Sequence, residues 1–223
     1  MTPETVLETR LQDDITWRIR ELSEIVRACS ECEGTRQHAL LRASVPVIYA
    51  HWEGYFVFAT NAYLNFVADK RLPLRDLKDE FWSLTIRKRY RAQQMTGSVQ
   101  FNRFLLEIRR DSLNDRTFKK GAFERVSGSS NLRSEVLLFC CSCLGLSSSS
   151  FSPYLEFIDK ELVETRNHIA HGSSLRFANS SVSVYRDKVV ELMRVTKTEI
   201  ENSVARELYK RAIDFVATPA PPA

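Results

Sequence analysis

Arg166, Asn167, His168 and His171 fall within ten residues, VETRNHIAHG, that hold two of the chain's four histidines. These side chains fit cleavage of RNA by its own 2′-hydroxyl. One group must take the proton from that hydroxyl, and another must protonate the departing 5′-oxygen. Histidine, with an ordinary pKa of about 6.5, can do either near neutrality. An arginine can hold the phosphate through paired N–H groups and offset the charge that builds in the transition state. This chemistry needs no metal ion and no cofactor. One segment supplies one good proton carrier, His171. A two-fold homodimer with both segments at its interface would supply two histidines and two arginines.

The carrying element constrains this pair. On a regular α-helix five residues turn through roughly 500°, which leaves Arg166 and His171 about 140° apart. Gly172 is suited to end a helix in the left-handed conformation. The spacing therefore predicts Arg166 in the last turns and His171 at the helix end, where it can swing back. Asn167 and His171, four apart, can face the same way. Spacing alone is common, because 23 Arg and 4 His in 223 residues give about 0.4 such pairs by chance. The plain structural alternative is that Arg166 pairs with an acid and His171 caps a helix C-terminus.

The positioning elements read as helices throughout. Gly and Pro number only 7 each, which argues for long helices over a strand-and-turn fold. Thr2, Pro3 and Glu4 form a helix start, and apolar residues recur from Leu7 to Val26 in an amphipathic pattern that ends near Gly34. A second helix is predicted over about 35–69. Its middle, VPVIYAHWEGYFVFATNAYLNFV, is apolar on most sides and so central, with Pro46 expected to kink or restart it. Helices at about 74–95 and 98–110, a loop over 111–130, a short apolar helix over 131–144 and a serine-rich linker follow. A helix capped by Ser152 and Pro153 then leads through the motif to Gly172, and a last helix spans about 181–216. The reading is an all-α bundle of six to seven helices, one domain over 1–216 with a disordered Pro/Ala tail at 217–223.

Net charge is +4 with a pI near 8.8, mildly basic and compatible with phosphate contact without demanding it. No apolar stretch is long enough to span a membrane. Five cysteines without an export signal point to a reducing cytoplasm.

RNHIAHG resembles the R-x4-6-H signature of HEPN domains (higher eukaryotes and prokaryotes nucleotide-binding). YAHWEGYFVFATNAYLNFV is similar to the helix that precedes an R-N-x-I-A-H-G helix in a prokaryotic HEPN subfamily, and SNLRSEVLLF has a similar counterpart there. The three matches keep the family's order, and the similarity spans roughly residues 10–215. The resemblance implies an all-α bundle, a homodimer and metal-independent endoribonuclease activity, with Arg166 and His171 catalytic and Asn167 the polar residue that tunes the motif. It also implies a toxin–antitoxin or abortive-infection role, restrained by an antitoxin protein or a modifying enzyme. Some HEPN proteins instead serve as non-catalytic modules that dimerise and recruit a protein or nucleotide.

Further candidates are weighed beside that site. His51 and Glu53, two apart on the central helix, point about 160° from each other and are not a simple dyad; one of them could reach the Arg166/His171 pocket and orient a side chain, against the plain alternative of a core hydrogen bond to another helix. His168 and His171 have a spacing seen in zinc sites, and Cys29/Cys32 and Cys140/Cys143 are C-x-x-C pairs. The cysteines fall in helical runs without a knuckle, so buried small residues are the better account. Arg87, Lys88, Arg89 and Arg91 around Tyr90 are a candidate outer RNA contact, against a solvated helix face. Arg109 and Arg110 are a weaker second. The aromatic stripe that includes Tyr49, Trp52 and Tyr55 reads as core or dimer interface.

Overall fold

The cap at Thr2 forms as the sequence suggests: its hydroxyl accepts the Thr5 N–H at 3.2 Å, and helix α1 runs Pro3–Ser30. In a computed structural model, residues 1–92, 98–110, 115–119 and 131–212 are described, with only the backbone at 91, 92, 98 and 110. Helix α2, Gly34–Asp69, continues through Pro46 without a break in its helical winding, although the proline withholds the amide that would bond the Arg42 carbonyl. Packing around the helix outweighs that one missing bond. Ile48, Trp52, Tyr55, Ala59 and Tyr63 are fully buried along it.

Helices α1 and α2 pack with α7, Asn179–Ala205, as the three long members of the bundle. Their shared core joins Leu11 and Leu22 of α1 to Trp52 and Tyr55 of α2 and to Val189, Met193 and Ile200 of α7. Helix α3, Asp79–Ala92, packs on α5, Ser134–Leu144, and α4 spans Ser98–Arg110. The short helix α6, Glu164–Ala170, packs on α2. Among the described residues all regular structure is helical apart from two isolated bridges, Pro73 with Thr117 and Leu77 with Lys210.

The last helix stops well before residue 216. Glu207 turns left-handed at φ 50°, its N–H donates to the Val204 carbonyl, and the Leu208 N–H donates to Ser203 at 2.8 Å. This is a glycine-free Schellman ending. The chain then folds back, and the Lys78 N–H donates to the Tyr209 carbonyl while the Arg211 N–H donates to Asp76. The third predicted helix is split at its start: Leu74–Asp76 is a 3-10 turn and α3 begins at Asp79. The predicted loop at 111–130 lies largely outside the described residues, as does the tail at 217–223. No helix among the described residues is long and apolar enough to cross a membrane.

Candidate active site

The motif-bearing helix is wound in two ways. Phe157–Val163 is a π-helix, and α6 continues from it without interruption. The apolar pair Phe157/Ile158 repeats five residues later as Leu162/Val163, and all four side chains are buried. Winding through i→i+5 bonds suits that repeat better than a regular α-helix, on which residues five apart diverge. The serine-rich linker is also more ordered than its composition suggests, since Ser149–Tyr154 forms a 3-10 helix with Phe151 buried. The π segment anchors this part of the chain. Helix α6, by contrast, contains no buried residue.

The helix ends as a Schellman motif. Gly172 sits at φ 84°, its N–H donates to the Ile169 carbonyl at 3.1 Å, and the Ser173 N–H donates to His168 at 2.9 Å. His171 is the capping residue, with its own N–H on the Asn167 carbonyl at 2.9 Å. Its imidazole is exposed and has no hydrogen-bond partner among the described residues. His168 is likewise exposed.

Arg166 is held rather than free. Its guanidinium lies 5.3 Å from the centre of the Tyr49 ring, and Nη1 donates to Asn167 Oδ1 at 3.0 Å. Asn131 Nδ2 donates to the same oxygen at 2.9 Å, so two donors fix which end of the Asn167 amide faces the arginine. Among the described residues Arg166 has no carboxylate within ion-pair distance.

Residues 131–134, at and just before the start of α5, are tied into this arrangement. Beside the Asn131 bond, the Leu132 N–H donates to the Tyr49 hydroxyl at 2.7 Å. The Ser134 N–H donates to Asp159 Oδ1 at 2.8 Å, and the Ser134 hydroxyl donates to the other carboxylate oxygen. Asp159 thereby places a negative charge at the N-terminus of α5, where the helix dipole favours it. Burial pushes the Tyr49 hydroxyl up to about 12, against the lowering effect of the Leu132 N–H. Glu53, one turn along α2, adds to the rise, and Arg166 opposes it. Tyr49 is therefore a neutral phenol at physiological pH.

His51 and Glu53 are divided between two neighbourhoods. Glu53 acts on Tyr49, on the motif side of α2. His51 faces α1: its Nε2 lies 3.3 Å from Glu21 Oε2, and its ring centre is 5.4 Å from that of Trp17. Burial lowers its pKa, Glu21 raises it, Arg18 lowers it and Asp14 raises it. The Arg18 guanidinium also approaches the His51 carbonyl at 3.4 Å, and a Cβ at Gly54 would lie 2.9 Å from Arg18 Nη1. Every residue of YAHWEG except Ala50 thus has a definite physical role. Tyr49 lies under Arg166, His51 faces α1 and Trp52 fills the core, while Glu53 sits beside Tyr49 and Gly54 makes room for Arg18.

Within the basic cluster on α3, the described side chains have neighbours in the chain. Arg87 is half-buried and close enough to Cys140 for its charge to lower that thiol's pKa. Tyr90 packs edge-on against Phe101 and tilted against Phe104, both 5.8 Å away, so its ring is shared with α4. Lys88 and Arg89 each interact within the chain, and the Arg91 and Arg110 side chains lie outside the described residues. Cys140 and Cys141 are buried, which pushes both thiols up to about 12, and all five cysteines are free. Among the described residues no three His, Cys, Asp or Glu side chains form a metal-ligand set. A cleft of about 590 Å³ lies between the start of α3 and the end of α5, lined by Lys78, Asp79 and Cys143, and touches no motif residue.

The geometry is that of an all-α bundle that displays an Arg–Asn–His helix from a firmly anchored base. The model of the MAE_28990-like HEPN family matches residues 7–209, and the chain belongs to the HEPN family of helical domains. No curated protein and no solved structure matches it.

Proposed function

We propose that the protein is a metal-independent endoribonuclease whose active site combines Arg166 and His171 from two copies of the chain. One observation carries this reading. Arg166 is held by a ring face and a neutral amide, with no carboxylate among the described residues to cancel its charge, at the foot of a helix whose end exposes His171. The structural alternative needs an acid on Arg166.

In the reaction the 2′-oxygen bonds to the adjacent phosphorus as the bond from phosphorus to the 5′-oxygen breaks. One imidazole takes the 2′-hydroxyl proton, and a second, protonated imidazole delivers a proton to the 5′-oxygen. The products are a 2′,3′-cyclic phosphate and a free 5′-hydroxyl. Arg166 lies against the phosphoryl oxygens and offsets their growing charge, while Asn167 orients it. A second copy supplies the second imidazole, and the absence of buried residues on α6 leaves that face available for it. In this reading the protein is an effector of toxin or abortive-infection type, and an antitoxin protein or a modifying enzyme that covers the motif restrains it.

The test is cleavage of total RNA in EDTA by the purified protein, beside Arg166→Ala and His171→Ala, with the oligomeric state measured by light scattering. Discrete fragments with cyclic-phosphate ends from the wild type alone support the reading. Folded wild-type protein that cuts nothing overturns it in favour of a HEPN module that binds a nucleotide or protein partner. Equal cutting by all three forms places the activity elsewhere.

A further inference from the structure

We infer that Tyr49 and Asn131 are positioning residues that aim Arg166, and that the segment 131–134 is the strap through which they act. The inference deepens the ribonuclease reading and rests on it.

A guanidinium presents five N–H donors on a rigid plane, and paired recognition of a phosphate needs that plane at one orientation. An arginine on a helix with no buried residue has several rotatable bonds, and its own helix offers only the amide of the next residue, Asn167, to fix them. Two residues from outside the helix, Tyr49 and Asn131, supply what it lacks. The Tyr49 ring, itself 2% exposed, lies beneath the guanidinium at 5.3 Å. Asn167 Oδ1 accepts from Nη1, which leaves the remaining N–H groups of the fork for a ligand. Asn131 donates to that same oxygen. Without Asn131 the Asn167 amide could rotate and turn its own N–H groups on the arginine, donor against donor. The strap holds both ends in register, because the Leu132 N–H donates to Tyr49 and Ser134 donates to Asp159. Glu53 acts on Tyr49 and forms no ion pair with Arg166. The arrangement thus fixes direction without neutralising charge, as a phosphate-binding group requires.

The test compares Tyr49→Leu, Tyr49→Phe and Asn131→Ala with the wild type, in the full chain. Two measurements are made on the same samples. The first is the 15N and 1H spectrum of the Arg166 side chain, identified by its loss in Arg166→Lys. The second is RNA cleavage resolved into kcat and KM. Asn131 is only half-buried, so Asn131→Ala keeps the comparison available should Tyr49→Leu fail to fold.

The expected result is loss of the ring-current shift in Tyr49→Leu, a more mobile guanidinium in Asn131→Ala, and a kcat reduced about 10-fold to 100-fold with KM changed far less. Tyr49→Phe keeps the ring but loses the Leu132 bond, so its ring-current shift stays and its kcat falls between those of Tyr49→Leu and the wild type. Unchanged Arg166 signals in folded Asn131→Ala and Tyr49→Leu overturn the inference, whether or not RNA is cut. A mobile Arg166 with unaltered kcat also overturns it. Altered signals in a family of proteins none of which cuts RNA, wild type included, would instead defeat the ribonuclease reading while leaving Tyr49 and Asn131 as the groups that hold Arg166.

Discussion

Two arginines flank helix α2, and both lie over aromatic rings, yet they are built for opposite purposes. Arg18 is 4.5 Å from the centre of the Trp17 ring, and its Nε donates to Asp14 at 2.6 Å. It also approaches the His51 carbonyl, and the lack of a side chain at Gly54 lets it come close. Its charge is balanced within the fold. Arg166, across the helix, has a ring and an amide oxygen but no carboxylate among the described residues. The first arrangement stabilises the contact between α1 and α2. The second keeps a positive charge oriented and unneutralised, which costs stability unless something outside the chain completes it.

That contrast predicts a crossover. Arg166→Ala lowers cleavage by about 10³-fold while changing folding stability by less than about 1 kcal/mol, since it removes one cation–π contact and one hydrogen bond at a half-exposed site, and Asn131 still satisfies the Asn167 oxygen. Arg18→Ala does the reverse. It leaves Asp14, whose side chain is 15% exposed, with the Trp17 indole N–H but no cation, and costs about 2–3 kcal/mol, but the folded fraction cuts RNA at its usual rate. Urea melts and cleavage assays on the two variants check both halves. A large stability loss in Arg166→Ala would erase the distinction between the arginines. Arg166→Lys sharpens it: a point charge cannot present a fork, so cleavage stays about 10²-fold down even though the charge is kept.

A smaller effect belongs to Gly172. A Cβ there meets no atom within 4 Å, so the demand for glycine comes from φ 84° alone. Gly172→Ala carries the left-handed penalty of about 1–2 kcal/mol, borne locally where α6 ends. Faster hydrogen exchange at the 172 and 173 amides and a several-fold drop in kcat are the expected readings. An unchanged exchange rate would show that the Schellman turn does not set the position of His171.

Much of this was legible in the sequence because it depends on periodicity. The all-α class, the central helix over 35–69 and the helix at 98–110 follow from apolar spacing and scarce breakers, and the end at Gly172 follows from a glycine where a left-handed residue is needed. The ends without such signals were not legible. Glu207 adopts the left-handed conformation with no glycine or proline to mark it, so pattern reading runs the last helix on past Ala205. The π winding escaped for a related reason, since Ile158 and Leu162, four apart, also satisfy an α-helical pattern. At the site, the motif residues were visible as types. The groups that hold them were not: Tyr49 is indistinguishable from a core aromatic until the destination of its hydroxyl is known, and Asn131 contributes through a contact 36 residues away. The opposite facing of His51 and Glu53 was predictable from their spacing, but which one meets Arg166 depends on where α1 and α6 pack.

The Arg18 side of the comparison also has a pH signature, the smallest effect expected. His51 is buried beside Glu21, Asp14, Arg18 and Trp17, and burial outweighs the two acids to hold its pKa below the ordinary imidazole value. The unfolded chain therefore takes up this proton at about pH 6.5, and the folded protein only at lower pH. Its stabilising contribution is complete above about pH 6.5, shrinks as pH falls toward the folded value, and is not lost further below it. The urea midpoint of the wild type should fall between about pH 7 and pH 5, and His51→Gln should remove that part of the slope while leaving the carboxylate-dependent fall at lower pH. Cleavage per folded molecule should keep its own pH profile in this variant, because His51 faces α1 and not the motif. A slope unaltered by His51→Gln would trace the pH response to other groups. A shifted cleavage profile would mean that the two sides of α2 communicate, and that Arg18 and Arg166 are not independent.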